Sequence, residues 1–118
     1  MIAHVYFAML ALFVAHELDA VKRHEWRVLP LTSFLPEKPA EQIFIWAHVP
    51  LFWGLFHFGA GDPTSSVAIG LSAFAVVHVG LHVLFMRHEK YEFNTVSSWA
   101  LILGAGVFGA AHLSLVYL

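Results

Sequence analysis

The stretch SSVAIGLSAFAVVHVGLHVLFM, Ser65–Met86, carries no Asp, Glu, Lys or Arg and decides the fold class. A bilayer core takes about 20 predominantly apolar residues per helix, and this segment supplies that length in one run. Working outward, a second uncharged run lies between Glu41 and Asp62, and a third from Phe93 to the C-terminus. A fourth begins at Ile2, with its first charge at Glu17. Backbone groups in hydrocarbon must be bonded within their own segment, and the alternating short strands of a closed barrel are absent. The reading is an all-α integral membrane four-helix bundle, one domain over residues 1–118, with spans at about 2–21, 41–58, 65–86 and 95–117.

Composition agrees. Of 118 residues, 59% are hydrophobic and 12% charged, about half the charge of a soluble domain. Such a chain cannot cover a water-facing surface, so membrane lipid is the expected partner. The absence of cysteine excludes disulfides, thiolate zinc sites and cysteine-ligated iron–sulfur clusters. A net charge of −2 leaves no basic footprint for nucleic acid. The N-terminal run has no positive flank and flows into His16-Glu17-Leu18-Asp19 rather than a cleavage site, so it reads as a retained span.

Charge placement orients the spans. Lys22, Arg23, Arg27 and Lys38 lie between the first and second, and Arg87 and Lys90 between the third and fourth. The remaining loop, Gly59 to Ser65, has no basic residue. The positive-inside rule puts both basic loops in the cytoplasm and both termini on the non-cytoplasmic side of a bacterial inner membrane. Trp26, Tyr91 and Trp99 are expected as inner interfacial anchors, Tyr6 and Tyr117 as outer ones, and Arg27–Ala40 as an interfacial segment. Asp62-Pro63-Thr64-Ser65 and Asn94-Thr95 offer caps for the third and fourth helices. Pro50 is expected to kink the second near Trp46, freeing a carbonyl beside His48. Gly104, Gly106, Gly109, Ala110 and Ala111 form small-residue faces for close helix contact, within the bundle, in a homo-oligomer or in a larger membrane complex.

Nine histidines exceed the six Lys and Arg together. At 1.5 Å rise per residue, His16 lies about 9 Å from the inner end of its span and His48 about 10 Å from the inner end of the second. His82 and His78 lie about 7 and 13 Å in from Arg87. Four imidazoles from three helices therefore share one layer, with His78 and His82 on one face. Asp19 falls on the His16 side, and Glu17 points elsewhere, toward His24. Imidazole suits zinc and iron, and a carboxylate completes or steadies such a shell. The expected metal ligands are His16, His48, His78, His82 and Asp19, with Asp19 and Glu17 the candidate catalytic acids. A second ion would need Glu17 or Glu89, the latter on nearly the same stripe as His78. His4, His57 and His112 fall toward the outer face as a second, smaller group. His24 and His88 read as solvated.

Set against this, a lone intramembrane histidine is ordinarily a hydrogen-bonded packing residue, and Glu17 and Asp19 can serve as boundary partners of Lys22 and Arg23. Three functions fit the pattern. The first is a metalloenzyme acting on a lipid or other membrane-soluble substrate. The second is a metal-free His/carboxylate isomerase or cyclase of a lipid. The third is a non-enzymatic accessory subunit, or a haem binder using two histidines.

The string His16-Glu17-Leu18-Asp19-Ala20, followed by His24-Glu25-Trp26-Arg27 and Leu29-Pro30, resembles an uncharacterised family of small four-span bacterial membrane proteins. It is distantly similar to the HXXEE-named membrane proteins, in which a first-span histidine precedes acidic residues. Asp19 matches the first acid of that pattern, and Ala20 stands where the second would be. The resemblance implies the four-span topology and singles out His16 and Asp19. His78-xxx-His82 is also similar to one histidine box of membrane di-iron hydroxylases and desaturases, whose paired adjacent histidines are absent here.

Overall fold

Helix initiation follows the side-chain chemistry of the turns. In the computed structural model, which describes residues 1–118, Ser65 Oγ accepts from the Ala68 amide at 3.2 Å and opens α3 (Ser66–Phe85). Thr95 Oγ1 accepts from the Ser98 amide at 3.1 Å and opens α4 (Val96–Tyr117). Upstream lie α1 (Ile2–Lys22) and α2 (Glu37–Gly54). A 3-10 turn, Glu25–Arg27, follows α1, and a π turn, Leu55–Gly59, prolongs α2. There is no strand.

Three of the four helices, α1, α3 and α4, are long and apolar enough to cross a membrane. α2 differs because it starts at Glu37, earlier than expected, so Glu37, Lys38 and Glu41 occupy its first turns. With the π turn, its helical run still reaches Gly59. Pro50 does not end the helix. α-helical bonding continues to Gly54, and the irregularity appears further on as the π turn, a register that accommodates an interrupted ladder.

α4 is the centre of the layer, lying along both α1 and α3. Glycine makes the α3 contact possible. A Cβ on Gly109 would stand 2.8 Å from the Ser72 carbonyl oxygen, and one on Gly106 2.5 Å from Val79 Cγ2. On the other side, a Cβ on Gly104 would meet Leu12 at 3.2 Å. These three glycines of α4 thus serve contacts inside the chain. α2 stands off this layer; its close backbone neighbours are the 3-10 and π turns.

Two apolar cores result, one at each end. Tyr6, Met9, Ala68 and Ala75 form one. Ala20, Trp26, Ala40, Phe44, Phe93 and Ile102 form the other. Tyr6 and Trp26, expected at the interface, are instead core residues. Tyr6 Oη donates to the Gly59 carbonyl at 2.7 Å, tying α1 to the π turn. Leu31 and Phe34, in the connection before α2, are left exposed.

The two basic loops meet at one end of the molecule. Arg27 pairs with Glu37 at 2.6 Å and with Glu92 at 3.3 Å. His24 Nδ1 lies 2.9 Å from Glu92 Oε2. The turn at the opposite end holds no Lys or Arg and is closed by Asp62, whose Oδ1 accepts from the Thr64 amide and hydroxyl.

Candidate metal centre

Between the two cores lies a polar layer. α1 contributes His16, and α3 contributes His78 and His82 one turn apart. The imidazoles sit edge to face, with centroids 4.7 Å apart for His16–His78, 4.9 Å for His16–His82 and 4.5 Å for His78–His82. The fourth member is Glu25, on the 3-10 turn. One donor atom from each of the four lies within 4.8 Å of every other, and this His/Glu cluster is able to hold a metal ion.

Burial and hydrogen bonding test the fit. His16, His78 and His82 are 1%, 8% and 3% exposed. Both ring nitrogens of His16, Nδ1 of His78 and Nε2 of His82 have no hydrogen-bond partner. A buried polar group left unpaired costs about 1–3 kcal/mol; each neutral imidazole carries one lone pair, which a shared electron-pair acceptor would satisfy.

Neighbours set the donor state of the cluster. His82 Nδ1 lies 2.9 Å from Tyr91 Oη. Burial and the charge of Glu25 raise the Tyr91 pKa, keeping it a phenol. With Nδ1–H donating to that oxygen, Nε2 presents its lone pair to the cluster, the usual outer support of a ligating histidine. Glu25 Oε1 stands 3.6 Å from His82 Nε2, too far for a hydrogen bond. Burial first, then the nearby Glu17, push the Glu25 carboxyl up to about 8, with His48 opposing.

His48 is not among the converging donors. It sits on the stand-off helix α2, and both its nitrogens are engaged. Nδ1 lies 2.7 Å from the Phe44 carbonyl and Nε2 2.6 Å from Glu17 Oε2. A carbonyl can only accept, so Nδ1 carries a proton. The short contact to Glu17 then requires another, on the ring or on the carboxyl. The pair therefore holds one proton more than a neutral imidazole and a carboxylate. Glu17, expected to point toward His24, turns to α2 because α2 runs past that face of α1.

Asp19 Oδ1 accepts from Arg23 Nε at 3.2 Å, the boundary pairing weighed as its plain role, and Oδ2 has no partner. Glu89 leaves the stripe altogether, because α3 ends at Phe85. It lines a polar surface recess with Arg27, Glu37, Lys90 and Glu92. The second histidine group, His4, His57 and His112, does not converge. His112 Nδ1 bonds Ser72 Oγ and Nε2 the Pro63 carbonyl, each at 2.8 Å. His57 stacks on Trp53 at 5.2 Å, and His4 is exposed.

Glu25 is the site residue that the sequence reading leaves out of its ligand set. The chain returns it to His82 through His24, which adopts the left-handed conformation at φ 54°. No glycine marks that reversal. The only signal is the His-Glu dipeptide, which recurs at His16-Glu17, His24-Glu25 and His88-Glu89.

A cleft of about 320 Å³ opens beside the cluster. His78, His82 and Glu25 form one wall, Glu17 and His48 another, and Phe44, Leu81 and Phe85 the apolar remainder. At Phe13, Glu17, Leu51 and Phe74 it meets a narrower extension of about 60 Å³, which continues past Met9, Leu55 and Leu71. No curated protein and no solved structure matches the chain. Residues 2–118 match a family of unknown function, DUF6713, and the chain belongs to that family.

Proposed function

We propose that the protein is a four-span membrane metalloprotein in which His16, His78, His82 and Glu25 hold one zinc or iron ion. In this reading, the loaded centre acts on a lipid or other membrane-soluble substrate. The observation that carries it is the convergence of three buried imidazoles, with orphaned nitrogens, on one carboxylate. Three imidazoles and a carboxylate are a common donor set for zinc and non-haem iron. When bound, such an ion polarises a substrate oxygen or makes water a better nucleophile near neutral pH. The residues around it do the rest: Tyr91 holds the His82 tautomer, and the Glu17–His48 pair keeps an exchangeable proton at the cleft.

The membrane arrangement follows from the same layout. α1, α3 and α4 each suffice as spans, and α2 with its π turn runs alongside from the basic end to Gly59. That run, Glu37–Gly59, is about 34 Å long at helical rise. Clustering of Arg27, Lys38 and Lys90 at one end supports a cytoplasmic placement there, with both termini outside in a bacterial inner membrane.

Metal analysis of detergent-purified protein tests the centre. About one ion per chain is expected, following one four-donor site, with loss to background in His82→Ala and retention in His4→Ala, at an exposed position. Wild-type stoichiometry in His82→Ala overturns the assignment. A C-terminal reporter active only in the cytoplasm overturns the orientation.

A further inference from the structure

The cleft beside the cluster has a polar floor and an apolar, narrowing exit, and that asymmetry selects a ligand. At its floor, His78, His82 and Glu25 lie across from the Glu17–His48 pair, whose Nε2 and Oε2 are 2.6 Å apart. From Glu17 the space runs past Phe13, Leu51 and Phe74 toward Met9, about 12 Å of helix. Along that course the cleft shrinks to the 60 Å³ extension, whose lining beyond Glu17 is entirely apolar. The main cleft is at the small end of ligand sites, which run from about 300 Å³. The extension is the more enclosed part of the space, and an apolar tail is the group its lining suits.

We infer that the cleft binds a single-chain amphiphile, its oxygen-bearing head between the His/Glu cluster and the Glu17–His48 pair and its tail along Phe13, Leu51 and Phe74. This rests on the metal-centre reading and names the substrate class of that centre. A two-chain phospholipid is the poorer fit, because the enclosed extension is a single one and the neighbouring apolar groove along Phe7, Ala11, Ala15 and Leu18 is open surface. A pure hydrocarbon does not suffice, because it leaves the floor's polar atoms unpaired, and that mismatch is strongly disfavoured. Entry is between α2 and α3, where Leu51 of α2 and Phe74 of α3 are 49% and 47% exposed.

The test measures ligand and metal separately on the same detergent-purified full-length chain. Binding of radiolabelled hexadecanoic acid and hexadecan-1-ol is compared with that of hexadecane and of dihexadecanoyl phosphatidylcholine. One hexadecanoic acid or hexadecan-1-ol per chain is expected, at least tenfold tighter than either comparison ligand. Leu51→Trp, at a half-exposed position that tolerates bulk, should weaken that binding at least tenfold while metal content stays at the wild-type level. The paired change Glu17→Gln with His48→Gln should erase the preference for hexadecan-1-ol over hexadecane. Equal binding of hexadecane overturns the head-group assignment, and equal binding of the phospholipid overturns the single chain. Undiminished binding in a metal-replete Leu51→Trp overturns the tail path. Absence of metal from the wild type strikes the centre instead, and the ligand measurements still read out on their own.

Discussion

His112 and His16 are equally hidden, 0% and 1% exposed, yet they meet opposite fates. His112, on α4, has both nitrogens satisfied, one by Ser72 of α3 and one by the Pro63 carbonyl of the turn before α3. His16, on α1, has neither nitrogen satisfied, and two more imidazoles crowd its ring. The first is a bolt between a helix pair and a turn. The second is built as though its partner were still to come. Burial alone does not separate a structural histidine from a ligand; the hydrogen-bond inventory does.

Metal content gives the largest separation. His16→Ala should lower bound zinc or iron at least tenfold, whereas His112→Ala should retain the wild-type amount; equal loss in both would erase the distinction. Next in size is the outer support of the centre. Tyr91→Phe removes the acceptor for His82 Nδ1 and should weaken metal affinity about 10- to 100-fold, read by competition with a chelator of known affinity. An unchanged affinity would free His82 from Tyr91.

Stability should then move in opposite directions at the two sites. His112→Ala strands Ser72 and the Pro63 carbonyl and is expected to cost about 2–3 kcal/mol in a detergent unfolding assay. A cost below that of an average surface change would remove the bolt. In metal-free protein, His16→Leu exchanges two orphaned nitrogens for an apolar side chain and should stabilise by about 1 kcal/mol. Destabilisation there, with metal stripped, would mean that the cluster is satisfied without an ion.

Much of this was legible before any coordinates. The spacing between charged residues located the four helical runs, and residue rise placed His16, His78 and His82 at a common height. The i,i+4 relation put His78 and His82 on one face of their helix. Azimuth was the missing quantity. Height alone could not say that His48 would face Glu17, nor that Tyr6 and Trp26 would turn inward, because an aromatic residue near a helix end suits core and interface equally. Glu25 was hidden for a different reason: its position depends on one left-handed residue, His24, and a histidine gives no warning of that conformation. Pro50 suggests a kink near Trp46, whereas α-helical bonding runs on to Gly54 and the irregular turn comes at Leu55–Gly59.

Three of the four donors in the polar layer are locked to helix register, so moving any of them disturbs the contacts of α1 or α3. Glu25 is different, since it rides on a three-residue turn. Exchanging it for another donor type leaves every helix where it is. Softer or harder side chains at that one place would retune which ion is preferred, so the most irregular corner of the molecule is the natural dial for its chemistry.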